Sequence, residues 1–269
     1  MSLLAIHDLR VRLGGTEVLR GVDLRVGAGE KVALVGESGS GKSVTARTIL
    51  RLDRDAEVTG RIDFDGTDLL SLPGRALREV RGARIGLVFQ DPLASLNPVM
   101  TVGWQIMQPL VIRGVRKKEA RRRGIDLLGR LGVRDAARRF DDYPHQFSGG
   151  MRQRVVIAIA VIAEPDLLIA DEPTTALDVR VQAQVLTLMR ELADERGMAV
   201  LLITHDLGIV ANFADRVVVM RHGAPVEEGP VRRIYASPRH PYTKALLAAV
   251  PRIDGDRDRR LSTVEMEDR

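Results

Sequence analysis

A glycine-rich octapeptide, residues 36–43, constrains the fold of this chain more than any other stretch of its sequence. It reads Gly-Glu-Ser-Gly-Ser-Gly-Lys-Ser, follows the apolar run 31–35 and precedes a helical pattern that extends through Leu52. This order predicts a strand, a glycine-rich loop and a helix, the arrangement known as a P-loop. The alternative is a flexible Gly/Ser turn, but such a turn does not require a buried strand on one side and a helix on the other.

The residue types of this loop are suited to holding phosphate. Glycines allow the backbone to wrap closely around an anion with its N–H groups pointing inward, and the helix that starts near Lys42 adds the positive end of its dipole. Lys42 is predicted to reach the β- and γ-phosphates of a nucleotide, and the Ser43 hydroxyl to contact Mg²⁺. The predicted binding residues are Gly36, Glu37, Ser38, Gly39, Ser40, Gly41, Lys42, Ser43 and Val44.

Composition narrows the class of protein around this loop. The chain has 269 residues, 45% of them hydrophobic and 29% charged, which fits one large α/β domain or two small ones. Its longest apolar run, 155–163, is far shorter than the roughly 20 residues that span a bilayer, and residues 1–10 do not have the pattern of a signal peptide. The absence of cysteine excludes disulfides and thiolate metal sites. A net charge of +5 with only 3% aromatic residues is a weak signal for nucleic acid, so no nucleic-acid partner is predicted.

Periodicity predicts two kinds of sheet. Alternating apolar and polar residues at 9–13, 22–26 and 61–64 indicate half-buried strands of a small antiparallel sheet near the N-terminus. Unbroken apolar runs at 32–35, 85–89, 167–170 and 199–203 instead indicate strands buried on both faces, and they alternate with helical stretches. The fold class is therefore predicted as α/β, with a largely parallel P-loop core and an antiparallel β-subdomain.

Between residues 91 and 146 the sequence becomes rich in arginine and in helix formers, which indicates an inserted helical subdomain. The basic residues from Arg116 to Arg123 within it are interpreted as a solvated helix face, with a nucleic-acid patch as the less favoured alternative. Residues 254–269 are mostly charged and have no periodicity, so a disordered tail is predicted there.

Two acidic residues, Asp171 and Glu172, end the apolar run 167–170. Carboxylates at the C-terminal edge of such a strand lie where open α/β sheets bind ligands. Asp171 is predicted to hold Mg²⁺, together with Ser43, and Glu172 to orient or deprotonate an attacking water. The alternative is that the two acids only cap a following helix.

Further motifs resemble those of ATP-binding-cassette ATPases. Residues 147–154 resemble the signature motif, Gln90 the Q-loop, residues 167–172 the Walker B strand, residues 175–178 the D-loop and His205 the switch histidine. The resemblance covers nearly the whole chain. It implies an ATP- and Mg²⁺-dependent ATPase with one domain at 1–251, a helical subdomain inserted at about 91–154 and a tail at 252–269. The implied catalytic residues are Glu172, His205, Gln90 and Lys42, and Gln90 is implied to contact the metal as well.

The resemblance also implies a nucleotide shared by two chains. Ser148 and the two glycines after it open a helix, which offers a second N-terminus able to bind an anion. One nucleotide cannot reach both helix ends within one compact chain. In the cassette family the signature of one protomer closes on the ATP held by the other, which adds Ser148, Gly149, Gly150 and Asp178 to the binding residues.

Three shorter motifs, residues 89–98, 143–146 and 240–243, resemble those of the ATPase subunits of oligopeptide, dipeptide and nickel importers. Two permeases, a second ATPase and, indirectly, an extracellular solute-binding protein are the implied partners, at the cytoplasmic face of the membrane. A homodimer and a regulatory ATP-binding module remain alternatives. The chain departs from the family where Leu13 stands near the position of an aromatic residue that stacks on adenine, so adenine is expected to be held by apolar contact.

Residues 93–110 follow Gln90 directly and lead into the helical insertion. Met100, Trp104 and Met107 recur there at i, i+4 and i+7, which predicts one stripe of a helix. Packing of the insertion onto the core explains such a stripe. Adaptable methionines and the chain's single tryptophan also suit a groove that holds a helix of a permease. That helix is predicted to lie between the core and the insertion, against residues 93–107.

Overall fold

The computed structural model describes residues 2–175 and 177–249. The strands are β1 (Ser2–Leu13), β2 (Thr16–Gly27), β3 (Lys31–Val35), β4 (Glu57–Phe64), β5 (Thr67–Asp68), β6 (Ile85–Val88), β7 (Leu167–Asp171), β8 (Ala199–Thr204), β9 (Arg216–Arg221) and β10 (Ala224–Pro230). The helices are α1 (Lys42–Ile49), α2 (Gly74–Val80), α3 (Pro92–Ser95), α4 (Val102–Val111), α5 (Lys117–Arg130), α6 (Ala136–Arg139), α7 (Gly149–Val161), α8 (Val179–Arg196), α9 (Leu207–Phe213), α10 (Val231–Ala236) and α11 (Pro241–Ala248).

The larger sheet has the strand order β10-β9-β3-β8-β7-β6, and all of its strands except β10 run parallel. Strands β3, β7 and β8 are buried at every residue. Burial on both faces explains why these strands are unbroken apolar runs in the sequence. The prediction of a largely parallel P-loop core is confirmed.

Side chains of the central strands alternate between two hydrophobic clusters. Val32 and Leu34 of β3 pack in the cluster shared with the antiparallel sheet, whereas Ala33 and Val35 pack in the cluster shared with the helices. The period of two in a strand produces this division. The parallel sheet is therefore covered on both faces, by strands on one side and by helices on the other.

The smaller sheet has the order β2-β1-β4-β5 with antiparallel pairing throughout. Its inward residues, including Leu4, Ile6 and Ile62, are fully buried. The predicted N-terminal antiparallel β-subdomain is thus present, and its strands are longer than the alternating patterns alone indicated.

The region between β6 and β7 is helical, as the sequence predicts, and contains α3 to α7. The domain boundary expected near residue 154 falls inside α7, which continues to Val161. On α5, Arg121 pairs with Asp141, Arg122 with Glu119 and Arg123 with Glu164. These surface ion pairs agree with the interpretation of the basic run as a solvated helix face.

One boundary differs from the sequence prediction, because α1 ends at Ile49 and not at Leu52. Arg51 has a left-handed backbone, with φ +48°, and the N–H of Leu52 donates back to the carbonyl oxygen of Arg47, a pattern that ends a helix. The predicted tail, 254–269, lies outside the described residues. Among the helices of residues 2–175 and 177–249, none has the length and hydrophobicity needed to cross a membrane.

Candidate functional site

Four neighbouring parallel strands bring the predicted catalytic residues to one edge of the sheet. In the order β3, β8, β7, β6, the C-terminal ends carry the P-loop, His205, the Asp171–Glu172 pair and Gln90. Residues that are more than 80 positions apart in the chain are therefore adjacent in space. This edge is where open α/β sheets bind ligands.

The P-loop, residues 36–41, has a backbone that only glycine accommodates at two positions. Gly36 has φ +156°, and a Cβ atom there would lie 2.3 Å from the carbonyl oxygen of Met220. Gly41 has φ +99° as the N-cap of α1, and a Cβ atom there would lie 2.6 Å from Leu19 Cδ2. Strands β9 and β2 therefore pack closely against the loop.

Lys42 is buried, and its ammonium group is hydrogen-bonded to the backbone of the P-loop. Its Nζ donates to the carbonyl oxygens of Gly36 at 2.8 Å and Glu37 at 2.7 Å. Burial lowers the pKa of this lysine, and the carboxylates of Glu172 and Asp171 oppose that effect. The cation is thus held at the loop, beside two acidic groups.

Ser43 and Asp171 face each other, since the Ser43 hydroxyl donates to Asp171 Oδ1 at 2.8 Å. Burial raises the pKa of Asp171; the hydrogen bond from Ser43 opposes this rise and the charge of Glu172 adds to it. A hydroxyl and a carboxylate are hard oxygen donors, the type that Mg²⁺ prefers, and one or two protein oxygens are enough when phosphates and waters complete its shell. This donor pair fits Mg²⁺, although the described residues contain no cluster of three or more His, Asp or Glu side chains.

The carboxylate of Glu172 is the meeting point of three side chains. Its Oε2 accepts hydrogen bonds from Gln90 Nε2 and from the Thr175 hydroxyl, both at 2.8 Å, and its Oε1 lies 3.1 Å from His205 Nδ1. Glu172 also has a left-handed backbone, with φ +46°, which is uncommon for a residue other than glycine. Several contacts therefore hold this side chain in one orientation.

The protonation of Glu172 follows from these contacts. Burial alone would raise its pKa, but the hydrogen bonds from His205 and Thr175, together with the charge of Lys42, outweigh burial and lower the pKa below the usual value of a glutamate. The group is accordingly a carboxylate at neutral pH. A carboxylate at this place can accept a proton or orient a water molecule.

The signature residues lie apart from this cluster. Ser148 is the N-cap of α7, its hydroxyl makes no capping hydrogen bond, and both Ser148 and Gly149 are exposed. Among the described residues, no hydrogen bond joins residues 148–150 to the P-loop. The structure therefore does not bring the two predicted anion-binding helix ends together within one chain.

Asp178 has a structural role in the described chain. Its carboxylate accepts hydrogen bonds from the backbone N–H groups of Arg180 and Val181, which makes it the N-cap of α8. Gly150 packs against this helix, because a Cβ atom there would lie 2.8 Å from Val181 Cγ1. The D-loop and the signature are thus neighbours, and Ala176 of the D-loop lies outside the described residues.

Two contacts at the site are absent from the sequence predictions. The sequence predicts Thr175 only as part of the D-loop, yet its hydroxyl donates to Glu172. Tyr242 belongs to the motif 240–243, and its hydroxyl also accepts a hydrogen bond from the P-loop, from the backbone N–H of Glu37. The identity of Thr175, three residues after Glu172, offered a local signal for the first contact; the second joins residues 205 positions apart and had none.

This site is that of a P-loop ATPase with its catalytic groups along one sheet edge. It is defined by β3, the P-loop, α1 and the acidic residues at the end of β7. Residues 19–175 match the ABC transporter family, and the chain belongs to that family. Residues 226–268 match a second family, the C-terminal region of oligopeptide/dipeptide transporters.

Curated relatives and solved structures agree with this assignment. A peptide import ATP-binding protein of Brucella abortus (strain 2308) is 52% identical over 255 residues, which cover 94% of this chain and 77% of the relative. One of Brucella melitensis biotype 1 is 51% identical, over 91% of this chain and 75% of the relative.

The structure resembles the ATP-binding cassette MJ0796, solved as a dimer bound to ADP and Pi, with a TM-score of 0.76 and 30% identity over 85% of this chain and 99% of that one. It also resembles cbiO1 of Clostridium perfringens, part of the ABC transporter complex cbiONQ, with a TM-score of 0.78 and 29% identity over 88% of this chain and 91% of that one.

Proposed function

We propose that this chain is the ATP-hydrolysing subunit of an importer for oligopeptides or dipeptides. The observation that carries the proposal is the Glu172 carboxylate, which is buried, ionised and held by Gln90, Thr175 and His205 at the sheet edge that also carries the P-loop. The peptide class follows from the Brucella relatives and from the match of residues 226–268.

In this proposal residues 36–44 bind the phosphates of ATP. Their backbone N–H groups and the N-terminus of α1 supply partial positive charge, and Lys42 supplies a full charge for the β- and γ-phosphates. Adenine is held by apolar contact near Leu13, at the end of β1. Because Lys42 is already fixed by two carbonyl groups, little side-chain entropy is lost when the nucleotide arrives.

Hydrolysis is assigned to Glu172. In the described structure both of its oxygens are engaged, and Gln90 and His205 are the partners that a γ-phosphate and its metal can draw away. Glu172 then orients and deprotonates the attacking water, and His205 contacts the γ-phosphate, where charge develops. The Thr175 hydroxyl keeps the Glu172 carboxylate in the same orientation while Gln90 and His205 exchange their contacts.

Ser43, Asp171 and Gln90 are proposed to hold Mg²⁺. The oxygens of Ser43 and Asp171 already face each other across the site. When bound, the ion neutralises charge on the phosphate oxygens. Asp171 has a pKa raised by burial, so a nearby cation favours the ionised form that metal binding requires.

The complete site is proposed to need two chains. The N-terminus of α7 is exposed, and the Ser148 hydroxyl has no capping hydrogen bond, so residues 148–150 are available to a phosphate on another protomer. The MJ0796 cassette, which this chain resembles, was solved as a dimer. We infer a dimer that closes on ATP, with a second ATPase as the partner and a second copy of this chain as the alternative; Asp178 contributes from the D-loop.

The other proposed partners are two membrane permeases, and through them an extracellular solute-binding protein. The chain is then a peripheral subunit at the cytoplasmic face of the membrane.

Peptide uptake tests the proposed cargo. Deletion of this protein from its native cell is expected to abolish uptake of labelled di- and oligopeptides, because no other subunit supplies this ATPase half-site. Plasmid-borne wild-type protein should restore uptake. Uptake of ⁶³Ni²⁺, measured in the same cells, should not change; loss of nickel uptake with normal peptide uptake would assign the importer to the other cargo.

The predicted stripe of Met100, Trp104 and Met107 is wrong in one respect. Helix α4 starts at Val102, after the N-cap Thr101, so Met100 precedes the helix. Met107 packs against the larger hydrophobic cluster, whereas Trp104 is 43% exposed. The packing alternative therefore accounts for Met107.

Large apolar side chains close to the Q-loop in sequence are nevertheless exposed. They are Phe89, Leu93, Val99 and Trp104. Large exposed apolar patches mark interaction sites. We therefore retain residues 93–107 as the proposed docking site for a short permease helix, with Leu93 and Trp104 as its exposed anchors.

Replacement of Leu93 tests this docking site. Leu93 is 60% exposed, so Leu93→Glu should leave folding and ATP binding unchanged. Burying a charge at an apolar interface is costly, so the variant should no longer co-purify with the permeases. Its peptide uptake should fall by at least about 90%. Ile112→Glu, at a residue 79% exposed beyond the end of α4, is the matched control and should behave as wild type. Normal co-purification of Leu93→Glu would require another docking site.

A further inference from the structure

The C-terminal helix α11 makes a direct hydrogen bond to the P-loop. The backbone N–H of Glu37 donates to the hydroxyl of Tyr242 at 3.0 Å. Tyr242 is 1% exposed and is one of the largest fully buried side chains among the described residues. A side chain from the region matched to the C-terminal oligopeptide/dipeptide transporter family therefore contacts the loop that binds phosphate.

The peptide group between Gly36 and Glu37 is held at both of its ends. Its carbonyl oxygen accepts from Lys42 Nζ at 2.8 Å, and its N–H donates to Tyr242. A rotation of this peptide would break both hydrogen bonds together. The Tyr242 hydroxyl thus determines the orientation of the carbonyl group that positions the Lys42 ammonium.

Several contacts fix Tyr242 itself. The Arg221 guanidinium lies over its ring, 5.2 Å from the centroid. Its backbone N–H donates to His240 Nδ1, the N-cap of α11, and the preceding N–H groups of Arg239 and His240 both donate to the Glu227 carboxylate. The hydroxyl is therefore presented to the P-loop from a rigid support.

Burial raises the pKa of Tyr242, with the hydrogen bond from Glu37 opposing the rise. The hydroxyl is accordingly neutral at physiological pH. If it were removed, the N–H of Glu37 would lose this hydrogen bond to the protein.

A second contact joins the same part of the chain to the other side of the loop. The backbone N–H of Gly223, in the turn between β9 and β10, donates to the carbonyl oxygen of Ser40 at 3.1 Å. The loop is thus supported at Glu37 by α11 and at Ser40 by this turn. Only the contact at Glu37 depends on a side chain that a substitution can remove.

We propose that Tyr242 is a positioning residue for nucleotide binding, and that α11 acts through it to keep the empty P-loop in the conformation that binds ATP. The inference rests on the proposed binding of ATP at residues 36–44. A loop that is already ordered loses less entropy on binding, so its affinity is higher. When only a fraction of the molecules is competent, the apparent Kd rises by the inverse of that fraction.

Tyr242→Phe tests this role, because it removes one oxygen and keeps the ring and its packing. The full-length variant is expected to bind Mg-ATP roughly 3- to 10-fold more weakly, the range that one net hydrogen bond corresponds to. The turnover at saturating ATP in the assembled transporter should stay within about twofold of wild type, since the site is normal once filled. Titration calorimetry measures the Kd, and hydrogen exchange should show a faster-exchanging Glu37 amide.

Tyr235→Phe is the matched control. Tyr235 lies on α10, and its hydroxyl donates to the carbonyl oxygen of Leu207 and not to a P-loop residue. The control should bind ATP as wild type does. An equal rise in Kd for both variants, or an unchanged Kd for Tyr242→Phe, would overturn the inference.

Two further measurements keep the outcomes distinct. If Tyr242→Phe does not fold, hydrogen exchange of the wild-type chain still decides, because a Glu37 amide that exchanges at the rate of an unprotected amide without nucleotide contradicts the proposed contact. If the wild-type chain does not bind Mg-ATP, the proposed function fails as a whole. If it binds and Tyr242→Phe binds equally well, only the positioning role fails.

Discussion

Glu172→Gln is expected to slow ATP hydrolysis by the assembled transporter by about 10²- to 10⁴-fold, the usual contribution of a general base. Glutamine has nearly the same shape as glutamate and can still face Gln90, Thr175 and His205, but its amide cannot take a proton from water. ATP binding should be unchanged, because Glu172 makes no hydrogen bond to residues 36–43. The closed, ATP-bound dimer should persist longer, which prolonged retention of labelled ATP by the variant would show.

Glu164→Gln is the matched control for this variant. Glu164 precedes β7, whereas Glu172 follows it, so the two carboxylates lie at opposite edges of the same sheet. Glu164 pairs with Arg123 at the surface, and such exposed pairs contribute little to stability. The control should hydrolyse ATP at the wild-type rate. A wild-type rate for Glu172→Gln would remove Glu172 from the catalytic role.

Much of the core could be predicted because its signals are local. The strand before the P-loop is buried on both faces, and its five consecutive buried residues, 31–35, contain the unbroken apolar run 32–35. The acids at 171 and 172 follow their strand immediately, so their place at the sheet edge could be inferred from chain order alone. The convergence of Gln90, Glu172 and His205 could be expected only from the resemblance to cassette ATPases, because it depends on which strands are neighbours.

The misses have two physical origins. Thr101 is the N-cap of α4 and places Met100 outside the helix. A threonine that follows Pro98 by three residues is a local signal for a helix start, but counting apolar residues at i, i+4 and i+7 does not detect it. In contrast, α1 ends where Arg51 has a left-handed backbone, which its residue type does not predict, and the support of Glu37 depends on Tyr242, 205 residues away. Contacts over such separations are determined by tertiary packing, which periodicity does not report.

Gly149→Asp is expected to abolish the contribution of residues 148–150 to the partner's nucleotide site and to leave the P-loop of the same chain intact. A Cβ atom at Gly149 meets no atom within 4 Å, and an acidic residue in the first turn of α7 favours the helix dipole, so the chain should fold normally. The same carboxylate would stand where the proposed dimer places the γ-phosphate of the partner's ATP, and repulsion between the two anions opposes closure. We expect ATP turnover by the assembled transporter to fall at least about tenfold, within the range that single transition-state contacts provide.

Gly74→Asp is the matched control, because Gly74 is also the first residue of a helix, α2, and a Cβ atom there also meets no atom within 4 Å. Both variants gain one negative charge at an open helix N-terminus. Only Gly149→Asp places that charge at the proposed dimer interface, so Gly74→Asp should keep wild-type turnover.

The ATPase rate of the Gly149→Asp transporter, measured beside the Kd of the isolated Gly149→Asp chain for Mg-ATP, tests most directly whether two chains share each nucleotide. A shared site predicts a wild-type Kd, because the variant's own P-loop is intact, together with the loss of turnover. A wild-type rate in this variant would contradict the shared site, since it would mean that one chain hydrolyses ATP without the exposed N-terminus of α7.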